Sequence, residues 1–147
     1  MLIWVQSRVH IEHGDNKTRA YVLIDQKSPD GLEIVGYFCI CADCIYKDGK
    51  NTPAVLIEQL ARDFRRDHTG LGSILIIEAL RKAIEASDII GIQAIHLFPT
   101  SAGKRLYLDH EFEAHPYGEG CMMLPIITAK AVVAEVDEAI SKALGNT

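Results

Sequence analysis

The stretch that decides the fold is "RRDHTGLGS", residues 65–73. Its glycines, Gly70 and Gly72, open "GLGSILIIEALRKAIEA" (70–86), the clearest helical pattern in the chain. Within it Glu78, Arg81, Lys82 and Glu85 make one narrow wet stripe, and Leu71, Ile74, Leu75, Ile76, Ile77, Leu80 and Ile84 cover most of the rest. Such a helix must pack against a sheet. A helix entered through glycines can also aim bare backbone N–H groups at an anion, because no side chain blocks close approach. The helix start adds about 0.3–1 kcal/mol of attraction for negative charge. Taken alone, the stretch reads either as a plain turn or as a phosphate cradle. Two common cradles are excluded by spelling. A P-loop needs Lys and then Ser or Thr after its glycines, whereas Ser73 and Ile74 follow Gly72. The dinucleotide fingerprint needs a third glycine and an acid ending the next strand, and neither is present.

Working outward, "PAVLIEQLAR" (53–62) reads as a strand before the glycines and "IQAIHLFPT" (92–100) as a strand after the helix. A helical crossover between them predicts a parallel pair. Upstream, "TRAYVLID" and "EIVGYFCICA" flank a Pro-Asp-Gly turn signal and predict an antiparallel hairpin. "DCIYKDGKNT" reads as a polar connection and "LIWVQSRV" as a short amphipathic helix. Downstream, "SAGKRLYLDHE" is a short helix and "CMMLPIIT" a last strand. "AKAVVAEVDEAISKALG" is a terminal helix with apolar residues at Ala129, Val132, Val133, Val136, Ile140 and Leu144, closed by Gly145. The sum is an α/β domain with a mixed sheet. At 147 residues it is expected to be one domain, 1–147, with a core of about 18–127 and the helix 129–144 as an extension.

Composition narrows the function classes. Hydrophobic residues at 48% and charged ones at 24% fit a globular chain, with no apolar run of transmembrane length and no signal-peptide pattern, so the expected location is cytoplasmic, with no membrane partner. A net charge of −5 makes non-specific attraction to nucleic acid a poor default. Cys39 and Cys41 fall in an apolar strand, Cys44 follows and Cys121 is distant, so the cysteines read as small core residues, and no metal site is expected. His10 and His13, a helical turn apart, lack a third ligand.

Several motifs together resemble the GNAT acetyltransferase superfamily, and within it the branch that contains aminoacyl-tRNA-acetylating toxins. "DHTGLG" is similar to that family's acyl-CoA motif, Q/R-x-x-G-x-G/A, with Asp67 at the Gln/Arg place and Gly70 and Gly72 on the glycines. "VLIEQLARDF", "IVGYF" and "MMLPI" resemble strands of the branch. "AIHLFPTSAGKRLYLDHEF" resembles its strand, helix and Tyr-x-x-x-Gly-Phe signature, with Tyr107 on the tyrosine and Glu111-Phe112 where Gly-Phe is usual. The resemblance spans roughly residues 18–127 in constant order.

What it implies is a GNAT-like, mostly antiparallel mixed sheet with a splayed central parallel pair, flanked by helices, and acetyl transfer from acetyl-CoA to a primary amine by direct attack. Pantetheine would lie along Leu60, Ala61 and Arg62. The pyrophosphate would meet backbone at Asp67, His68, Thr69, Gly70, Leu71, Gly72 and Ser73, with Lys104 nearby. Tyr107 takes the place of the acid that protonates the coenzyme A thiolate; read without the family it is a core tyrosine. Glu58, an acid in an apolar strand, is either a solvent-facing strand residue or a base whose burial raises its pKa. His96 reads as a hydrogen-bonded core histidine. Two departures stand out. Asp67 repels a pyrophosphate unless turned away or neutralised by Arg65, Arg66 or Lys104. The N-terminal part is short, so the terminal helix is expected to cover the missing surface or form a homodimer. Alternative readings are a catalytically inactive CoA-binding or partner-binding module, and a toxin acting on charged tRNA, with tRNA or an antitoxin as partner.

Overall fold

The computed structural model describes residues 2–7, 17–66, 70–115 and 120–145, with side chains from Lys17 onward and at Leu2. Seven strands form one sheet: β1 Leu2–Ser7, β2 Thr18–Asp25, β3 Glu33–Lys47, β4 Lys50–Arg62, β5 Ala94–Leu97, β6 Glu113–Ala114 and β7 Met122–Pro125. Their spatial order is β1-β2-β3-β4-β5-β7-β6. Every neighbouring pair is antiparallel except β4 and β5, which run parallel through the crossover helix α1, Leu71–Ile89. Two further helices follow, α2 Lys104–Leu108 and α3 Ile126–Ala143.

The sheet is longer at both ends of its first half than the sequence predicts. "LIWVQSRV" is not a helix: Leu2–Ser7 is a strand paired with β2 from Leu2↔Asp25 to Ser7↔Ala20. Its Ile, Trp and Val suit a pleated surface better than an isolated turn of helix. "DCIYKDGKNT" is not a polar connection either. β3 and β4 pair through Lys47↔Lys50, with Asp48 and Gly49 both at positive φ, 50° and 76°, in a two-residue hairpin turn. The last strand stops at Pro125 and the terminal helix starts at Ile126, so "IIT" belongs to α3. His10 and His13 lie outside the described residues.

All three helices share one face of the sheet. An added Cβ at Gly36 would meet Leu75 of α1 at 3.0 Å, which fixes which face of β3 the helix covers. Phe38, Val55, Ile57, Ile95, Leu97, Met122 and Leu124 from the strands meet Leu75, Ile76, Leu80 and Ala83 of α1 and Ala129 and Val133 of α3 in one buried core. The predicted wet stripe of α1 is present: Arg81 pairs with Glu78 and with Asp137 of α3, and Lys82 with Glu78 and Glu85. The apolar stripe of α3 is covered only over its first half, and Ile140 and Leu144 are exposed.

Candidate functional site

β4 and β5 are hydrogen-bonded only from Ala54↔Ala94 to Leu56↔His96. Beyond that point β4 continues to Arg62 while β5 ends at Leu97, and the two strands part. The separation coincides with a bulge: Cys39 pairs with Gln59 and Ile40 with Ile57, so Glu58 is the extra residue of β4. A cleft of about 880 Å³ opens in the gap, lined by Ile57 to Arg62, by Leu97 to Thr100, by Gly70 to Ser73 and by Tyr107. Along Ile57–Arg62 one edge of β4 is bonded to β3 and the other faces the cleft, offering backbone donors and acceptors to an extended chain.

One end of the cleft is the start of α1. Gly70 has φ 77°, in the left-handed region, and gives the helix no side-chain cap. The first intrahelical bond runs from the Ile74 N–H to the Gly70 carbonyl at 3.2 Å. The N–H groups of Leu71, Gly72 and Ser73 therefore have no helical acceptor, which is the arrangement that attracts an anion. Gly72 serves packing: an added Cβ would stand 2.8 Å from Leu106 Cδ2, so its absence lets α2 approach α1.

The other end is α2. Tyr107 is 8% exposed, its ring set edge-on against Phe112 at 5.7 Å, and burial pushes its phenol above the usual tyrosine range. Its carbonyl accepts the His110 and Phe112 N–H groups at 3.0 and 3.1 Å, which locks the turn after α2. Glu111 holds φ 70° in that turn, at the place where the resembled signature has glycine.

Of the residues singled out in the sequence, Leu60, Ala61, Arg62, Gly70, Leu71, Gly72, Ser73, Glu58 and Tyr107 line this one cleft. Asp67, His68 and Thr69 lie outside the described residues. Lys104 is exposed and is not among the lining residues; Arg105, the next residue, is. Glu58 is exposed, so the burial that a base reading needs is absent. Its carboxylate accepts from Thr18 Oγ1 at 3.2 Å, and it adds to the burial that pushes the Cys41 thiol up. Arg65 and Arg66 are engaged by carboxylates: Arg65 binds Asp63 and Glu33 at 2.8 and 3.2 Å, and Arg66 binds Asp25 at 3.0 Å and Glu33 at 3.5 Å. This cluster ties the turn Phe64–Arg66 to the ends of β2 and β3. Residues missed by sequence reasoning are Tyr37, Gln59 and Phe98. The Tyr37 hydroxyl donates to Gln59 at 3.3 Å at the cleft, and Phe98, 65% exposed, lines its β5 side. A period-two reading puts Tyr37 and Gln59 on the face away from α1, which was the available signal.

This topology, with a parallel pair splayed at a bulge and a helix start facing the gap, matches solved structures. The toxin AtaT, as a tyrosine-to-phenylalanine mutant bound to the C-terminus of the antitoxin AtaR and acetyl-CoA, superposes with a TM-score of 0.77 at 18% identity over 89% of this chain and 97% of that one. The fold is that of the GNAT acetyltransferases. The KacTA–DNA complex gives a TM-score of 0.71 at 23% identity, over 82% of this chain and 75% of that one. AtaT complexed with acetyl-methionyl-tRNAfMet gives 0.71 at 21%, over 82% and 78%. In sequence the GNAT-fold chain is 32% identical over 85 residues to a tRNA-acetylating toxin of Mycobacterium tuberculosis (strain ATCC 25618 / H37Rv), matching 56% of this chain and 51% of that protein. It thus spans about half the length of that curated relative. No protein-family model matches it.

Proposed function

We propose that the chain is an acetyl-CoA-dependent N-acetyltransferase whose acceptor is the α-amine of an aminoacyl-tRNA. The observation that carries this reading is the single cleft joining three parts: the free edge of β4, the uncapped N–H groups of Leu71 to Ser73, and the Tyr107 ring. A pantetheine arm suits the strand edge, and a pyrophosphate suits the helix start. The thioester carbon would then lie where β4 and β5 part. The neutral amine attacks that carbon, the C–N bond forms, the C–S bond breaks, the Tyr107 hydroxyl gives its proton to the leaving sulfur, and the proton shed by the nitrogen returns through water to restore the phenol. A buried phenol retains its proton at neutral pH, as an acid at this step must.

The acceptor rests on the sequence relative named as a tRNA-acetylating toxin, and an antitoxin partner rests on AtaT bound to AtaR. Glu58, exposed beside the splay, is assigned as a polar contact for the incoming amine or its water and not as a buried base. Incubation with acetyl-CoA and a panel of charged tRNAs and small amines tests the reading. Acetyl should appear on the aminoacyl α-amine, and Tyr107→Phe should cut kcat about 100-fold while coenzyme affinity holds. Unimpaired Tyr107→Phe turnover would remove the role of that residue. Coenzyme binding without transfer to any acceptor would leave a coenzyme-binding module of the same fold.

A further inference from the structure

On the sheet face turned away from the helices, three side chains from three separate segments stand in line. His96 Nε2 of β5 lies 2.8 Å from Asp43 Oδ2 of β3, and His96 Nδ1 lies 3.6 Å from Cys121 Sγ, just before β7. An ionised carboxylate only accepts, so Nε2 carries the ring proton and Nδ1 presents its lone pair to the thiol, whose other acceptor within reach is the Met122 carbonyl at 3.7 Å. Burial pushes the Cys121 thiol up, an effect partly offset by the neighbouring Leu97 backbone N–H. His96 and Cys121 are 5% and 7% exposed, while the Asp43 side chain, at 37%, meets solvent. Nucleophile, base and orienting carboxylate thus stand in the order that activates a thiol. The other cysteines differ. Burial and a hydrogen bond to Glu58 push the Cys41 thiol up to about 12, Cys39 is buried, and Cys44 is exposed. Acetyl transfer uses none of this array.

We propose that Cys121 is a base-assisted reactive thiol for small hydroperoxides, with His96 Nδ1 taking its proton and Asp43 holding the ring. Cys121 Sγ attacks one peroxide oxygen; the S–O bond forms as the O–O bond breaks. Sulfur gives up two electrons, the peroxide is reduced, and the thiol proton passes through His96 Nδ1 to the leaving oxygen, which departs as water or an alcohol. The product is a sulfenic acid at Cys121. Burial raises the thiol, so it rests protonated and depends on the base during attack. Little of Cys121 reaches the surface, which restricts the reagent to small molecules.

The test treats the full chain with limiting hydrogen peroxide, traps sulfenic acid with dimedone and maps adducts by mass spectrometry, Cys44 serving as internal control. Cys121 should be the main adduct. His96→Ala should slow its formation about tenfold or more with Cys44 unchanged, and added imidazole should restore the rate. Asp43→Asn, at an exposed position, should slow it less, and Asp43→Glu should recover part of the loss. Adducts confined to Cys44, or a His96→Ala rate equal to that of the native chain, would overturn the assignment. No coenzyme enters the assay, so its outcome is separate from that of acetyl transfer.

Discussion

Glu111 carries a backbone conformation that its side chain does not favour. At φ 70° it occupies the left-handed region, and a non-glycine residue there costs about 1–2 kcal/mol. Glu111→Gly should therefore raise stability by up to about 1 kcal/mol, part of the gain offset by the freer unfolded chain, as read by denaturant melts. The sequence showed a departure from Gly-Phe here, and the backbone kept the glycine geometry despite it. Gly70 offers the converse case: no atom lies within 4 Å of an added Cβ, so substitution there is a matter of conformation alone. Gly70→Ala should cost about 1 kcal/mol, and Gly70→Asn less, because Asn tolerates the left-handed region. Tyr107 was legible only through its signature, since an isolated tyrosine on an apolar helix gives the same pattern. Its phenol is raised by burial, so the unfolded chain ionises first as pH climbs past 10.0. The native state then holds the extra proton, and the stability Tyr107 contributes is present below pH 10.0 and lost as pH rises through the folded value. Tyr107→Phe should flatten that alkaline decline in a pH series of thermal melts. Glu58 shows the limit of reading one strand: an acid in a mostly apolar strand signals burial only if the strand is regular, and here a bulge turns it to solvent.

At the scale of elements, α1 was the most legible, because seven apolar positions and four charged ones define its faces without reference to anything else. Leu80, fully buried between sheet and α3, should cost about 2–5 kcal/mol as Leu80→Ala. The Asp48-Gly49 hairpin was missed: its polar neighbours made "DCIYKDGKNT" read as a connection, although Asp-Gly suits a two-residue turn and the strands on either side extend into solvent. β1 was not legible, since six residues that pair with β2 are too few to separate a strand period from a helical one. The arginine cluster ahead of the glycines needed the fold, because Asp25 and Glu33 are distant in sequence from Arg65 and Arg66. Its carboxylates titrate low: Asp63 through its hydrogen bond from Arg65, and Asp25 through the Lys27 N–H and then Arg66. Their stabilising effect is present above pH 3.8 and lost as pH falls through the lowered values. The Asp25 and Asp63 side chains are largely covered, but the Arg65 guanidinium is 66% exposed, so screening keeps its share of the effect small and salt should weaken it further. Asp63→Asn should shift the acid midpoint of unfolding upward less than a core substitution does, and should loosen coenzyme affinity by freeing the turn before Gly70.

The described residues form one sheet with its helices on one side and a splay at its centre, and that arrangement was implied by the order of motifs more than by any one of them. The parallel pair followed from one helical crossover and the β2–β3 hairpin from its Pro-Asp-Gly turn; the mostly antiparallel remainder was legible only through the resemblance. No helix among the described residues is long and apolar enough to cross a membrane. With a net charge of −5, any grip on tRNA must come from local Lys and Arg, so affinity for charged tRNA should fall as salt rises. Everything assigned to catalysis depends on the cleft accepting the coenzyme. The direct measurement is a calorimetric titration of the full chain with acetyl-CoA, repeated as a thermal melt. Saturable heat at one site per chain is expected, with a stabilisation of about 2.7 kcal/mol once free ligand reaches 100 times Kd. No heat and no shift in the melt with either acetyl-CoA or free coenzyme A would contradict it.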